Sequence, residues 1–174
     1  MINFQHNHFE LFGLPQRFQL DLALMEAAYR GIQSEVHPDR HVNASDAERR
    51  ASMQSATQVN EAYRTLKDPL ARARYLLALQ RVDVESESNT AMPAEFLQQQ
   101  MHWRESVEEA ADQPDALAAL AQRLAAEMND LYSELARRFD SDGDYAQAGA
   151  LVRKLMFLER LREELGDALE RAET

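Results

Sequence analysis

Residues 21–39 read Asp-Leu-Ala-Leu-Met-Glu-Ala-Ala-Tyr-Arg-Gly-Ile-Gln-Ser-Glu-Val-His-Pro-Asp. Asp21 is suited to cap a helix whose apolar positions, Met25, Ala28, Tyr29, Ile32 and Val36, fall at i, i+3, i+4, i+7 and i+11 on one face. Pro38 ends that helix, because proline lacks a backbone donor and disfavours helical geometry at the residue before it. Downstream, Ser45-Asp46-Ala47-Glu48 spells a capping box and predicts a second helix with the stripe Ala56, Val59, Tyr63 and Leu66. It runs to Asp68-Pro69, where Asp68 can cap and Pro69 can open a shorter helix carrying Leu70, Ala73, Leu76 and Leu77. Upstream, Phe9-Glu10-Leu11-Phe12-Gly13-Leu14, closed by Pro15, supplies about two turns with Phe9, Leu11 and Phe12 facing inward. The expectation is a helical hairpin whose connecting loop carries His37-Pro38-Asp39.

Residues 80–92 change character. Asp83, Glu85, Ser86, Glu87, Ser88, Asn89 and Thr90 offer little to bury, the composition of a connection between domains. Residues 1–80 therefore form one predicted domain, 81–92 a linker and 93–174 a second domain. The second holds three longer helical patterns, starting at Pro93, at Pro114 and just after Gly143. The middle one is the clearest, with Leu117, Leu120, Leu124, Met128, Leu131 and Leu135 spaced by three and four. Short connections between three such helices predict an antiparallel bundle, and the fold class is all-α.

The chain has 174 residues, 45% of them hydrophobic, and a net charge of −11. That charge is segregated. Residues 1–80 carry 9 Lys/Arg against 9 Asp/Glu, whereas 81–174 carry 10 against 21. An acid-rich distal half repels a phosphate backbone and argues against nucleic-acid or anionic-membrane binding. With no cysteine there is no disulfide frame, thiolate nucleophile or iron-sulfur ligand set. No apolar run approaches the roughly 20 residues of a membrane span, and the first residues lack the basic and apolar parts of a signal peptide. A cytoplasmic protein is expected.

The hairpin with His37-Pro38-Asp39 in its loop, preceded by Phe9 to Pro15 and followed by Asn60-Glu61-Ala62-Tyr63-Arg64-Thr65-Leu66-Lys67-Asp68-Pro69, resembles the J domain of DnaJ-type co-chaperones. The resemblance runs from about residue 8 to 77. It implies that His37, Pro38 and Asp39 engage a DnaK-like chaperone ATPase and speed its ATP hydrolysis, with Tyr29 and Arg30 on the preceding helix also in contact. A core role for Tyr29 and a solvated role for Arg30 fit the residues equally well. J domains usually show several basic residues on this helix. Here Arg30 stands between Glu26 and Glu35, which suggests a specialised chaperone.

The segment Pro93-Ala94-Glu95-Phe96-Leu97-Gln98-Gln99-Gln100-Met101-His102-Trp103-Arg104-Glu105, with Arg153-Lys154-Leu155-Met156-Phe157-Leu158, resembles the HscB family of bacterial iron-sulfur biogenesis. Geometry gives a separate view. At about 100° per residue, Trp103 and Val107 fall within about 20° of Phe96, while Leu97 and Met101 lie about 100° and 140° away, near Glu105 at about 180°. In the last helix Leu151, Leu155, Leu158, Leu165 and Leu169 share a face, and Phe157 points about 120° from Leu151, toward solvent or a partner. The apolar residues off the main stripe either widen the core or form a partner-binding face. The resemblance implies the second, with the cluster scaffold IscU held by Leu97, Met101, Glu105 and Phe157 and the specialised chaperone HscA as the ATPase. Gln98 stands where the family pattern is apolar and His102 where it is acidic.

Other chemistry fits less well. His37 and His41 are four apart but separated by Pro38, so they do not form a helical metal pair. Asp140-Ser141-Asp142-Gly143-Asp144 fails as a calcium loop: with Gly143 sixth, Arg138 falls first and Gly149 last, where acids are needed. It reads as an acidic turn before the last helix. No metal site, cofactor or catalytic residue is expected, and the chain is expected to be a monomeric co-chaperone, not an enzyme. Two alternatives are a J protein for another client and a helical adaptor with no chaperone link.

Overall fold

Side-chain caps set where the helices begin. The computed structural model describes residues 5–36, 45–84 and 94–172, and among these every regular element is helical. Asn7 opens α1 (His8–Leu11): its side-chain oxygen accepts from the Phe9 and Glu10 amides while the Glu10 carboxylate accepts from the Asn7 amide. This helix is one turn, shorter than the two expected, because Gly13 adopts a left-handed φ of 64° and lets the Leu14 amide donate to the Phe9 carbonyl. Asp21 caps α2 (Leu22–Val36) through the Leu24 amide. Ser45 and Glu48 form the expected box at the head of α3 (Asp46–Lys67), and Asp68 caps α4 (Pro69–Leu79) through the Ala71 amide. The tripeptide His37, Pro38 and Asp39, together with His41, Pro93 and residues 85–92 of the predicted linker, lies outside the described residues.

The chain divides into two units, Met1–Leu76 and Leu77–Thr174. In the first, α2 and α3 are antiparallel. The Ser52 hydroxyl donates to the Val36 carbonyl at one end, Tyr29 stacks on Tyr63 at mid-height, and Glu26 lies 3.9 Å from Lys67 at the other. Phe9, Phe12, Phe18, Met25, Val59, Ala62 and Leu66 make the core with Ala73 and Leu76. From α2 only Met25 is fully buried; Ala28, Tyr29, Ile32 and Val36 are half-buried, since a hairpin partner covers only one side of a helix. Arg72, nearly buried, donates to the Leu66 carbonyl at 2.6 Å and holds its guanidinium 5.0 Å above the Phe18 ring.

The second unit holds α5 (Ala94–Ala110), α6 (Pro114–Arg137), a π-helical turn (Arg138–Asp142) and α7 (Tyr145–Ala172). α5 and α6 are antiparallel, with Arg123 over the Trp103 ring and Gln99 bonded to Glu127. The acidic turn serves as predicted: Gly143 takes a left-handed φ of 66° and Asp144 caps α7 through the Gln147 amide. Arg137 and Arg138 pair with Glu134 and Asp142 and hold the Glu134 carboxyl below its ordinary pKa, chiefly through the Arg137 hydrogen bond.

The stripe on α7 differs from expectation. Its buried line is Ala148, Val152, Leu155, Leu158, Leu161, Leu165 and Ala168, whereas Leu151 and Leu169 are half-buried at its margins. A helix packed against two others buries a wide arc centred between them, so Val152 and Leu161 belong to the core along with the leucines. At Gly149 a side-chain carbon would stand 3.5 Å from Val82 and 3.8 Å from Val84, so residues 82–84 rest on α7 within the same unit.

Two predictions follow from this packing. Leu155→Ala should cost about 3 kcal/mol in urea unfolding, whereas Leu97→Ala, at an exposed position, should change stability by no more than about 0.5 kcal/mol. His8 stacks on Tyr75 at 4.2 Å, and its burial lowers its pKa below the ordinary 6.5 despite the opposing field of Glu61. The unfolded chain then takes up the proton first, so this residue's stabilisation is full above 6.5 and declines as pH falls through that value. Thermal unfolding followed by circular dichroism should show a shallower acid-side loss of Tm in His8→Gln than in the wild type.

Candidate functional site

Two surfaces carry the residues singled out above, one in each unit. On the first, Tyr29 is half-buried: its hydroxyl donates to Asn60 Oδ1 at 2.9 Å and accepts from Gln33 Nε2 at 3.0 Å. The ring stacks on Tyr63 with centroids 4.0 Å apart and meets Phe12 edge-on. Tyr29 thus ties α2 to α3, and only part of its ring is left for a partner. Arg30 is exposed and lies 3.7 Å from Glu26, one turn earlier.

Lys67 was not anticipated here. It donates to the Tyr63 hydroxyl at 3.0 Å and lies 3.9 Å from the other oxygen of Glu26. The Tyr63 hydrogen bond and then the Tyr63 field hold the Lys67 ammonium above its ordinary pKa against an opposing desolvation, with Glu26 a lesser contributor. Glu26 is therefore shared by two cations, so the Arg30, Glu26 and Lys67 trio carries one net positive charge, although Arg30 reads as flanked by acids in sequence. The signal was present in the antiparallel register, which sets the end of α3 beside the start of α2.

On the second unit, Phe96, Trp103 and Ala110 of α5 are buried. Leu97 is 50% and Met101 62% exposed, so neither widens the core. Gln98, His102 and Glu105 are exposed on the same side, and Glu109 continues it one turn further. Phe157 departs from the expected free orientation. It is half-buried, its ring edge-on to Phe96 with centroids 5.8 Å apart, because α7 packs on the α5 face that carries Phe96. The exposed pair and the half-buried ring belong to one side of the bundle. Beside Phe157 lies a groove of 280 Å³ between α5 and α7, lined in part by Gln100, Arg104, Arg153, Met156 and Arg160.

Among the described residues no group of three or more His, Asp or Glu is placed to hold a metal ion, and no helix is long and apolar enough to cross a membrane. The second surface has the character of a protein-binding face, with exposed apolar side chains flanked by charge, whereas the first is a charged one built around the half-buried Tyr29.

The comparisons with known proteins agree with this division. Residues 7–75 match the DnaJ domain, and residues 92–166 match the HSCB C-terminal oligomerisation domain. The "Co-chaperone protein HscB homolog" of Burkholderia multivorans is 52% identical over 176 residues, covering all of both chains. The chaperone HscB from Vibrio cholerae superposes with a TM-score of 0.84 at 34% identity, covering 96% of this chain and 99% of that one. Human co-chaperone protein HscB shares the fold, with a TM-score of 0.90 at 24% identity, over 99% of this chain and 85% of that one. A J domain makes a DnaK-type chaperone the partner of the first unit. With an N-terminal J domain, the HscB-type C-terminal domain and full-length identity near one half, the chain belongs to the HscB family and acts as a co-chaperone.

Proposed function

We propose that the chain recruits the scaffold protein IscU, on which iron-sulfur clusters are assembled, to the specialised DnaK-like chaperone HscA and stimulates ATP hydrolysis there. In this reading residues 1–80 are the J domain, 81–92 a linker and 93–174 the scaffold-binding domain. His37, Pro38 and Asp39 engage the ATPase, with Asp39 offering a carboxylate to a partner arginine and His37 a donor on the same surface. Arg30 and the open part of Tyr29 contribute from α2. The hydrolytic chemistry belongs to the ATPase; the chain itself is not an enzyme and carries no cofactor. It works as a monomer in the bacterial cytoplasm, although the matching C-terminal family has oligomerisation in its name.

The observation that carries the scaffold half is the exposure of Leu97 and Met101, two large apolar side chains one turn apart on a helix whose core residues are already buried. Covering them removes apolar area from water, which association needs to offset its loss of freedom. Phe157 and Glu105 flank them, with Gln98 and His102 as the family-divergent positions that tune affinity. Holding scaffold and ATPase on one chain raises the local concentration of each for the other.

The test is the HscA ATPase rate with and without IscU. His37→Gln should abolish stimulation in both conditions while leaving IscU affinity unchanged. Leu97→Ala with Met101→Ala should cost about 2 to 3 kcal/mol of IscU binding, or about 30- to 150-fold in Kd, and remove the synergy while sparing J-domain stimulation. Unimpaired stimulation by His37→Gln would overturn the J-domain half. Unchanged IscU affinity in the double variant would overturn the scaffold half.

A further inference from the structure

The groove between α5 and α7 is unusual for the unit that contains it. Residues 81–174 hold 21 acids against 10 bases, yet three of those bases, Arg104, Arg153 and Arg160, line this one cleft, with Glu164 as its acidic member. On α7, Arg153, Phe157, Arg160 and Glu164 fall at i, i+4, i+7 and i+11, a single face opposite Gln100 and Arg104 of α5. Most other cations of the unit are engaged: Arg137 and Arg138 by Glu134 and Asp142, Lys154 by Glu127, Arg162 by Glu159, Arg123 over Trp103, and Arg171 by the Asp167 carbonyl. Arg104, Arg153 and Arg160 also have no ion pair among the described residues, and they alone of the unit's cations converge on one groove.

Arg153 carries this furthest. Its Nε and Nη1 are shielded from water and donate to nothing, an arrangement that leaves buried donors unsatisfied and destabilises the free protein. The remaining Nη2 is left to meet an arriving group. On α5, Gln100 and Arg104 lie at about 40° and 80° from Phe96, between the core face and the exposed Leu97 and Met101. The groove is thus the margin of the apolar patch, and a protein covering the patch reaches it without a separate docking event.

We infer that the α5/α7 groove receives a carboxylate from an acidic segment of the same protein that docks on Leu97 and Met101, bound by Arg104, Arg153 and Arg160 beside the Phe157 ring. This rests on the scaffold-binding reading proposed above. Guanidinium groups suit the task, because they desolvate more readily than lysine and the exposed Arg104 and Arg160 can each present a two-donor fork, with Arg153 adding its single Nη2. The charge pattern also orients the partner: acidic groups go toward the α7 margin and basic groups toward Glu105 and Glu109 on the far side of α5. Such a pattern discriminates registers that apolar contact alone leaves equivalent.

The experiment measures IscU binding to the full chain by titration calorimetry at low and high salt, with Arg104→Glu plus Arg160→Glu, Arg153→Gln, and Leu97→Ala plus Met101→Ala. Arg104 and Arg160 are exposed, so their reversal should leave Tm unchanged. It should weaken binding about tenfold or more and flatten the salt dependence, and a Glu→Lys or Asp→Lys change on one acidic IscU position should restore affinity to the reversed variant. Binding equal to wild type in the arginine variants, while the Leu97/Met101 variant loses it, would overturn the groove and leave the scaffold face standing. No binding by the wild-type chain would overturn both. Self-association of the wild type in sedimentation, abolished by the arginine reversal with IscU affinity unchanged, would assign the groove to a second copy of the chain and overturn the inference.

Discussion

The Trp103 indole is only 2% exposed, and the Arg123 guanidinium lies 4.2 Å over its ring, which fastens α5 to α6. With Phe96 one heptad before it and Ala110 one after, all buried, three points along one line fix the rotation of α5 about its own axis. Turning the helix far enough to bury Leu97 would draw the largest side chain of the unit into water, at a cost of several kcal/mol. The exposure of Leu97 and Met101 is therefore enforced by the core, and the apolar face is maintained in the absence of a partner. Phe157 is held by the same arrangement, since the ring it packs against is Phe96.

The first unit solves a different problem. Its hairpin buries little of α2, so helix pairing depends on a few specific contacts at the seam, with Tyr29 at the centre. That seam also brings Lys67 beside Glu26 and leaves a positive cluster with Arg30. The net charge of −11 is thus a poor description of either surface. The neutral half presents a cationic corner, and the acidic half contains a groove lined by three arginines.

Much of this architecture was legible residue by residue. The Ser45/Glu48 box, the Asp21 and Asp68 caps, the start of α4 at Pro69 and the turn at Gly143 all appear where local chemistry puts them, because caps and turns are satisfied by neighbours within a few positions. The Asn7/Glu10 box was equally readable and was overlooked. The stripe of α7 was only partly legible. Angular averaging selects the leucines, but how wide an arc is buried depends on how many helices pack on it, and Val152 and Leu161 entered for that reason. The exposure of Leu97 and Met101 followed from a 100° rotation per residue, whereas the half-burial of Phe157 required knowing that α7 lies against α5.

The sequence alone determined the helical class, the two-part organisation, the J-domain tripeptide and the set of apolar residues left over once the core stripes are drawn. These properties depend on spacing along one chain, and spacing is printed in the sequence. Tertiary structure alone decided which distant groups the charges meet: Lys67 with Glu26, Arg123 with the Trp103 ring, and Arg104 with Arg153 and Arg160 in one groove. Coulomb interactions act through space, so the electrostatic character of both surfaces is set by helix register and crossing, which no local pattern encodes.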